Sequence, residues 1–391
     1  MLGNMHKHIQ KHWLRCVLIV TILPLAMFIA DAVVEITHYP ARQTKSNEYQ
    51  TPIAQQDSSI NKSPAAATRK ADLEHLWGFD CLTEPDVAFD IGIIGAPFDT
   101  AVSYRTGARF GPRAIRVASA RQSRARGWNA RAGINPYKSG LKIIDCGDIP
   151  LVPIDNGVAL RQMTEAMTEL GSRPSKPRLL TLGGDHSVAL GALRALRQVY
   201  GQPITVLHFD AHLDTWIPPK SASDFPWFSE QGRFNHGDVF SLAWEEGLIA
   251  NASSAHVGLR TRLSGPQDNI DDGAQGFIQI SSDEVDVIGT DGIIKRVKER
   301  VGTGPVYLSF DIDVVDPGLA PGTGTPEVGG FTSREVIRLL RGLEGIDIVG
   351  ADIVEVSPQY DGQGEQTALV AAQVAYEILT NWAVASKIDT P

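Results

Sequence analysis

The chain has 391 residues, 43% of them hydrophobic and 21% charged, with 37 Gly, 23 Pro and 3 Cys. This is globular composition, and it excludes a collagen, a disordered polyanion and a multi-span membrane protein. The formal net charge of −9 argues against a nucleic-acid surface, which needs a basic stripe.

Taken in chain order, the first element is a leader. Lys7, Lys11 and Arg15 precede an apolar run from Cys16 to Ala30 that stops at Asp31, and Ala30-Asp31-Ala32 has the small-x-small cleavage pattern. Residues 1–32 are therefore expected to be a signal peptide, directing the protein to the secretory pathway or the exterior. Pro24 in the middle of a run shorter than a membrane span argues against a retained anchor. Cleavage would leave Cys81 and Cys146 as the one possible disulfide pair, and a bridge and two buried free thiols both stand open. The triplets Asn61-Lys-Ser and Asn251-Ala-Ser are glycosylation sequons compatible with that route. Residues 33–72 are polar, rich in Ser, Gln and Ala, and without periodicity, which predicts a disordered linker. Residues 73–391 then form a catalytic-size domain.

Within it, strands are predicted at Val87–Gly95, Leu141–Cys146, Arg178–Leu182, Ile204–Phe209, Ala255–Leu259, Gly276–Ile280, Val306–Phe310 and Ile348–Val354. Several are continuously apolar, as parallel strands covered on both faces are. Helices are predicted at Pro112–Ala120, Val158–Leu170, Val188–Val199, Asp286–Val301, Arg334–Gly342 and Gln366–Ala383. The alternation implies an α/β three-layer sandwich around a mostly parallel, roughly eight-stranded sheet. In such sheets ligands bind beyond the carboxyl ends of the strands.

Four of those ends carry chemistry. They read Gly183-Gly-Asp-His186-Ser, Asp210-Ala-His212-Leu-Asp214, Asp311-Ile-Asp313 and Glu355-Val-Ser-Pro358. Residues i and i+2 of an extended chain share a side, so Asp210 with His212, and Asp311 with Asp313, can each reach one locus. Four carboxylates so close would take up protons unless cations were present. Two imidazoles and four carboxylates without sulfur suit two divalent ions, Mn2+ above all, and such a pair can generate a hydroxide nucleophile. Any one of these motifs alone is ordinary turn chemistry; together, each after an apolar strand, they are not.

These motifs, with Phe209–Asp214, Ser309–Gly330, Val354–Pro358 and Ser103–Arg116, resemble the ureohydrolase (arginase/agmatinase) family, and within it the agmatinases. The resemblance runs from about residue 85 to 385 and implies the arginase-like fold, two Mn2+ per subunit and homo-oligomers, trimers or hexamers. It implies that His186, Asp210, Asp214 and Asp311 hold one ion, and that Asp210, His212, Asp311 and Asp313 hold the other, Asp210 and Asp311 bridging. It further implies that His236 shuttles protons, that Glu355 pairs with the substrate guanidinium, and that Asp214 accepts a hydrogen bond from the nucleophile. The implied reaction cleaves a small guanidino substrate to urea and an amine.

Agmatine, giving putrescine, is the expected substrate. Where arginases hold the amino-acid head group with Thr, Ser and Asn, this chain has Glu230, Gly232 and Phe234. Glu230 or another acidic group would suit agmatine's ammonium. Guanidinobutyrate, guanidinopropionate or an amidino-acid is the alternative, and an inactive metal-bound relative acting as a binding protein is a further one. The long stretch Thr215–Arg233, with Trp216, Phe225, Trp227 and Phe228, is either an aromatic lid or a surface loop. His208 and His256 are expected to be core histidines, and Trp77, Trp128, Trp244 and Trp382 packing anchors.

Overall fold

The computed structural model describes residues 81–84, 86–221, 223, 228–229 and 231–388. The expected signal peptide and linker, and Trp77, Phe225, Trp227 and Glu230, lie outside the described residues.

The eight strands are β1 (Ile91–Gly95), β2 (Ile143–Asp148), β3 (Arg178–Leu182), β4 (Thr205–Phe209), β5 (Ser254–Leu259), β6 (Phe277–Ser281), β7 (Val306–Asp311) and β8 (Ile348–Val354). They form one sheet in the order β2-β1-β3-β8-β7-β4-β5-β6, every pairing parallel. The helices are α1 (Gly111–Ala118), α2 (Asn156–Gly171), α3 (Val188–Tyr200), α4 (Val239–Glu245), α5 (Pro266–Ala274), α6 (Glu284–Val301), α7 (Ser333–Gly342) and α8 (Gln366–Ile388).

Alternation along each strand divides the core in two. Leu207, Phe209, Leu308, Phe310, Ala351 and Ile353 pack with α6, α7 and α8 on one face. Val206, Tyr307 and Val349 pack with α2, α3 and α4 on the other. Strands buried on both sides need mostly apolar residues at successive positions, and β7 (VYLSFD) and β8 (IVGADIV) are buried at every position, with Ser309 and Asp352 as polar interruptions. Helix α8 is long and apolar enough to span a membrane by composition, yet it is mostly buried here, and Trp382 Nε1 donates to the Ile348 carbonyl at 2.8 Å. Trp382 is the packing anchor expected of it. Trp128 and Trp244 are not, being 64% and 40% exposed.

The local signals that stop and start helices hold where they are strong. Thr332 and Glu335 close a capping box on α7, and Asp155 caps α2 through the Val158 amide. Helices α4 and α5 have no counterpart among the predicted elements. Helix α5 (PQDNIDDGA) buries an aspartate, Asp272, in place of an apolar stripe, so its periodicity is invisible in sequence.

Cys81 and Cys146 form a disulfide, tying the start of the described chain to β2. Arg173 supports the same junction, donating to the carbonyls of Cys81 and Val87 and lying over the Phe89 ring. Closing a loop of 65 residues contributes about 4 kcal/mol in the chain-entropy account of cross-links. Alkylation of the folded, unreduced protein should therefore label neither thiol. Reduction should expose both and lower the melting temperature, read by peptide mass spectrometry and calorimetry. Labelling of Cys81 or Cys146 without reductant would contradict the bridge.

Candidate active site

The strands that carry the sequence motifs are neighbours, in the order β3-β8-β7-β4, so their carboxyl ends meet at the centre of the sheet. After β3 the chain turns tightly against Phe98: a Cβ on Gly184 would lie 1.7 Å from the Phe98 carbonyl oxygen, so only glycine fits. That turn delivers His186 into the site. Its Nε2 faces Ser309 Oγ at 2.7 Å, and Ser309 in turn donates to Asp352 at 2.9 Å. The hydroxyl proton being spent on Asp352, Nε2 carries the imidazole hydrogen and Nδ1 is bare.

That bare nitrogen is fully buried and makes no hydrogen bond. Around it lie Asp210 Oδ2 and Asp214 Oδ2 at 3.0 Å and Asp311 Oδ2 at 3.3 Å. None is placed to receive an N–H. A lone pair facing three carboxylate oxygens is repulsive unless a cation sits among them, and the donor set fits a divalent metal. A second group lies alongside, where His212 Nδ1 is 3.1 Å from Asp210 Oδ1 and 3.0 Å from Asp313 Oδ2. Asp210 thus turns one oxygen to each group, the geometry of a bridging carboxylate. Asp311 reaches the His186 group directly, while its Oδ1 accepts the Asp313 amide at 2.7 Å.

Burial would lower His186, but Asp210, Asp214 and Asp311 outweigh it and hold the imidazole well above its usual value, so Nδ1 takes up a proton unless a metal cation occupies its place. Burial, then the charges of Asp313 and Asp210, drives Asp311 well above the ordinary carboxylate range. Burial and Asp210 push Asp313 up to about 6. Asp210 goes well below its usual value because His208, His186 and His212 outweigh its burial. Asp214 and Glu355 both hold positive φ, 54° and 60°, a conformation that costs free energy in a non-glycine residue.

A cavity of about 250 Å³ opens over the cluster, with His212, Asp214, Asp311, Trp216, His236 and Asp238 in its wall. Trp216 therefore faces the site, its Nε1 donating to Asp268 at 3.2 Å. Phe234 instead packs on Phe98 with ring centroids 6.1 Å apart. His236 Nδ1 lies 3.0 Å from Glu355 Oε1, and its Nε2 accepts the Ser103 amide at 3.0 Å with the Ser103 hydroxyl at 2.7 Å. Burial alone would lower His236, but the hydrogen bond and charge of Glu355, helped by Asp214 and Asp185, raise it to about 9. Glu355 Oε1 also accepts the His186 amide at 2.8 Å, while its Oε2 is buried and unpartnered. One oxygen of Glu355 thus orients the histidine and one is left over. Ser103 sits in the glycine-rich segment that the sequence marks, but nothing in sequence ties it to His236.

The sequence profile of the Arginase family matches residues 89–380. The chain belongs to the arginase family. A Schizosaccharomyces pombe protein provisionally named agmatinase 1 is 47% identical over 315 residues, covering 77% of this chain and 79% of that one. The guanidinopropionase of Pseudomonas aeruginosa is 38% identical over 315 residues, covering 81% and 93%. Among solved structures, the proclavaminate amidinohydrolase of Streptomyces clavuligerus superposes with a TM-score of 0.67 at 37% identity, covering 76% of this chain and 93% of that one. The expected arginase-like fold is the one observed.

Beneath the cluster this arginase-family chain carries a feature that sequence reading missed. Parallel register places Thr181, Asp352, Ser309, His208, His256 and Gln279 side by side across six strands. His208 Nε2 holds Asp210 Oδ2 at 2.8 Å, His208 Nδ1 meets His256 Nδ1 at 2.7 Å, and His256 Nε2 meets Asp272 Oδ1 at 2.9 Å. Thr215 and Gln279 also donate to Asp272. Both histidines are core residues, as expected, but they are the polar support of a candidate ligand. Burial pushes His208 down to about 4, so it is neutral. Its Nε2–H serves Asp210 and its Nδ1 meets His256, whose other ring nitrogen meets Asp272.

Two outcomes follow for divalent metal binding, measured by calorimetry. Affinity should rise as pH increases through about 6, because Asp313 must lose its proton to become a ligand. His256→Leu should lower affinity about 10–100-fold by releasing the support of Asp210. Affinity indifferent to both changes would separate the carboxylates and the row from metal binding.

Proposed function

We propose that this chain hydrolyses agmatine to putrescine and urea with two Mn2+ ions. The observation that carries the reading is the bare, buried His186 Nδ1 among three carboxylate oxygens, beside a cavity that His236 lines. His186, Asp210, Asp214 and Asp311 would hold one ion, and Asp210, His212, Asp311 and Asp313 the other. When bound, such ions supply Lewis acidity and make water a nucleophile at neutral pH.

The chain's own residues do the rest. Glu355 Oε2, buried without a partner, accepts a guanidinium N–H and holds the planar group over the cluster. Asp214 lines the cavity and accepts a hydrogen bond from the attacking water. Water adds to the guanidinium carbon, the C–N bond to the alkyl chain breaks, and the departing amine takes its proton from His236. Nε2 is the donor, since Nδ1 is committed to Glu355; on protonation Nε2 exchanges the Ser103 amide for the Ser103 hydroxyl, which can accept. The agmatinase names among the relatives support the substrate, and the guanidinopropionase and proclavaminate amidinohydrolase names support a different guanidino compound as the second reading.

Urea release from a panel of guanidino compounds with Mn2+ added tests this. Agmatine should be cleaved, and His236→Asn should lower kcat about 10²–10⁴-fold. His236 carries its proton below about pH 9 and loses it above, and bound cations would draw that value down. The wild-type kcat should therefore fall on the basic side at or below about pH 9, and His236→Asn should lack that limb. Absence of urea from every compound would end the ureohydrolase reading.

Entry into the secretory pathway through residues 1–32 is part of the same proposal. The Cys81–Cys146 bridge suits an oxidising compartment, and Asn251 stands exposed in a turn where its sequon is accessible. So is assembly into trimers or hexamers, which sedimentation would read.

A further inference from the structure

We infer that Asp238 is the residue that selects a guanidino substrate with a cationic tail, by pairing with the ammonium at its far end. The inference rests on the ureohydrolase reading and deepens it.

Asp238 lies at the start of helix α4, two residues beyond His236, and its side chain lines the same cavity. An aspartate at a helix start ordinarily accepts a backbone N–H from the first turn. Asp238 makes no such bond. Asn235 Nδ2 donates to its Oδ2 at 2.6 Å, and its Oδ1 makes no hydrogen bond among the described residues. The residue is only 8% exposed, and the surface it keeps lies at the cavity. Burial raises the carboxyl to about 6, Asp214 adding to the effect and Asn235, His236 and Arg233 opposing it. Arg233, the one arginine in that set, donates instead to Glu245, which Lys220 also pairs with.

The rest of the cavity wall points the same way. Asp214 and Asp311 also line it, but the proposed metal cluster consumes their charge. Asp238 is then the carboxylate left uncommitted. No lysine or arginine is among the described residues that line the cavity, so a carboxylate tail would enter without a partner and face Asp238. An ammonium tail meets the opposite arrangement. Trp216 supplies an apolar wall for the methylenes between the two ends, its ring 3.3 Å from where a Gly237 Cβ would stand. The sequence suggested Glu230 or another acidic group for this role; Glu230 lies outside the described residues, and Asp238 is such an acidic group.

The test compares agmatine with 4-guanidinobutyrate, which has the same number of chain carbons and a terminal carboxylate in place of the CH2–NH3+ group. Wild-type, Asp238→Asn and Asp238→Glu proteins are assayed as Mn2+-loaded holoenzymes for urea release. Asp238→Asn should cut the preference for agmatine over 4-guanidinobutyrate at least tenfold, through the KM for agmatine, and Asp238→Glu should restore part of it. An equal change for both substrates, or an effect confined to kcat, would assign Asp238 to structure and overturn the inference. A wild-type protein that cleaves neither compound would end the agmatine reading on its own. Calorimetric titration of agmatine into wild-type and Asp238→Asn protein then decides the binding role, since equal affinities would refute it and a tenfold weakening would sustain it.

Discussion

The structure depends on holding four carboxylates at the end of one sheet with almost no water around them. Asp210, Asp214, Asp311 and Asp313 are each 5% exposed or less. Like charges at that spacing in a low-dielectric setting do not stay ionised by themselves. The opposed shifts within the cluster express that conflict, Asp210 driven down by its histidines while Asp311 and Asp313 are driven up by their neighbours. A set of groups that cannot all be charged without cations, arranged so that His186 Nδ1 has no hydrogen bond, is built around something positive.

Such a cluster needs rigid support, and parallel register provides it. Neighbouring strands place residues of equal height side by side, so one polar residue per strand becomes a continuous row beneath the strand ends. The left part of that row, Asp352 and Ser309, fixes the tautomer of His186. The right part, His208, His256 and Asp272, fixes an oxygen of Asp210. Asp272 also accepts from Thr215, which follows Asp214, so helix α5 is coupled to the loop that carries another ligand candidate. Asp352, Ser309, His208, His256 and Asp272 are tolerated at this depth because each is hydrogen-bonded within the row.

The reactive side of the site is organised by Glu355. At positive φ after β8, it bonds the His186 amide and His236 through the same oxygen, linking the cluster to His236. The segment before α1 closes on His236 from above through Ser103. His236, Glu355 and the candidate metal ligands therefore come from five separate stretches of chain, and no two of these stretches are held together by local structure alone.

Much of this was legible in the sequence. Continuous apolar runs alternating with helical patterns determined the parallel sheet, because strands covered on both faces cannot alternate with polar residues. The ligand candidates were legible because an i, i+2 spacing at a strand end points two side chains to one side, whatever the rest of the chain does. The sequence alone placed His208 and His256 as inert core residues and left Ser103 and Asp238 without a role. Only the tertiary structure decided these, since His208 meets His256 through strand register, and Ser103 meets His236 across 133 residues of chain. The same holds for Cys81 and Cys146, whose pairing the sequence left open. Spacing along one strand is local and periodic, so it survives in one dimension; contacts between strands depend on sheet order and register, which no local pattern encodes.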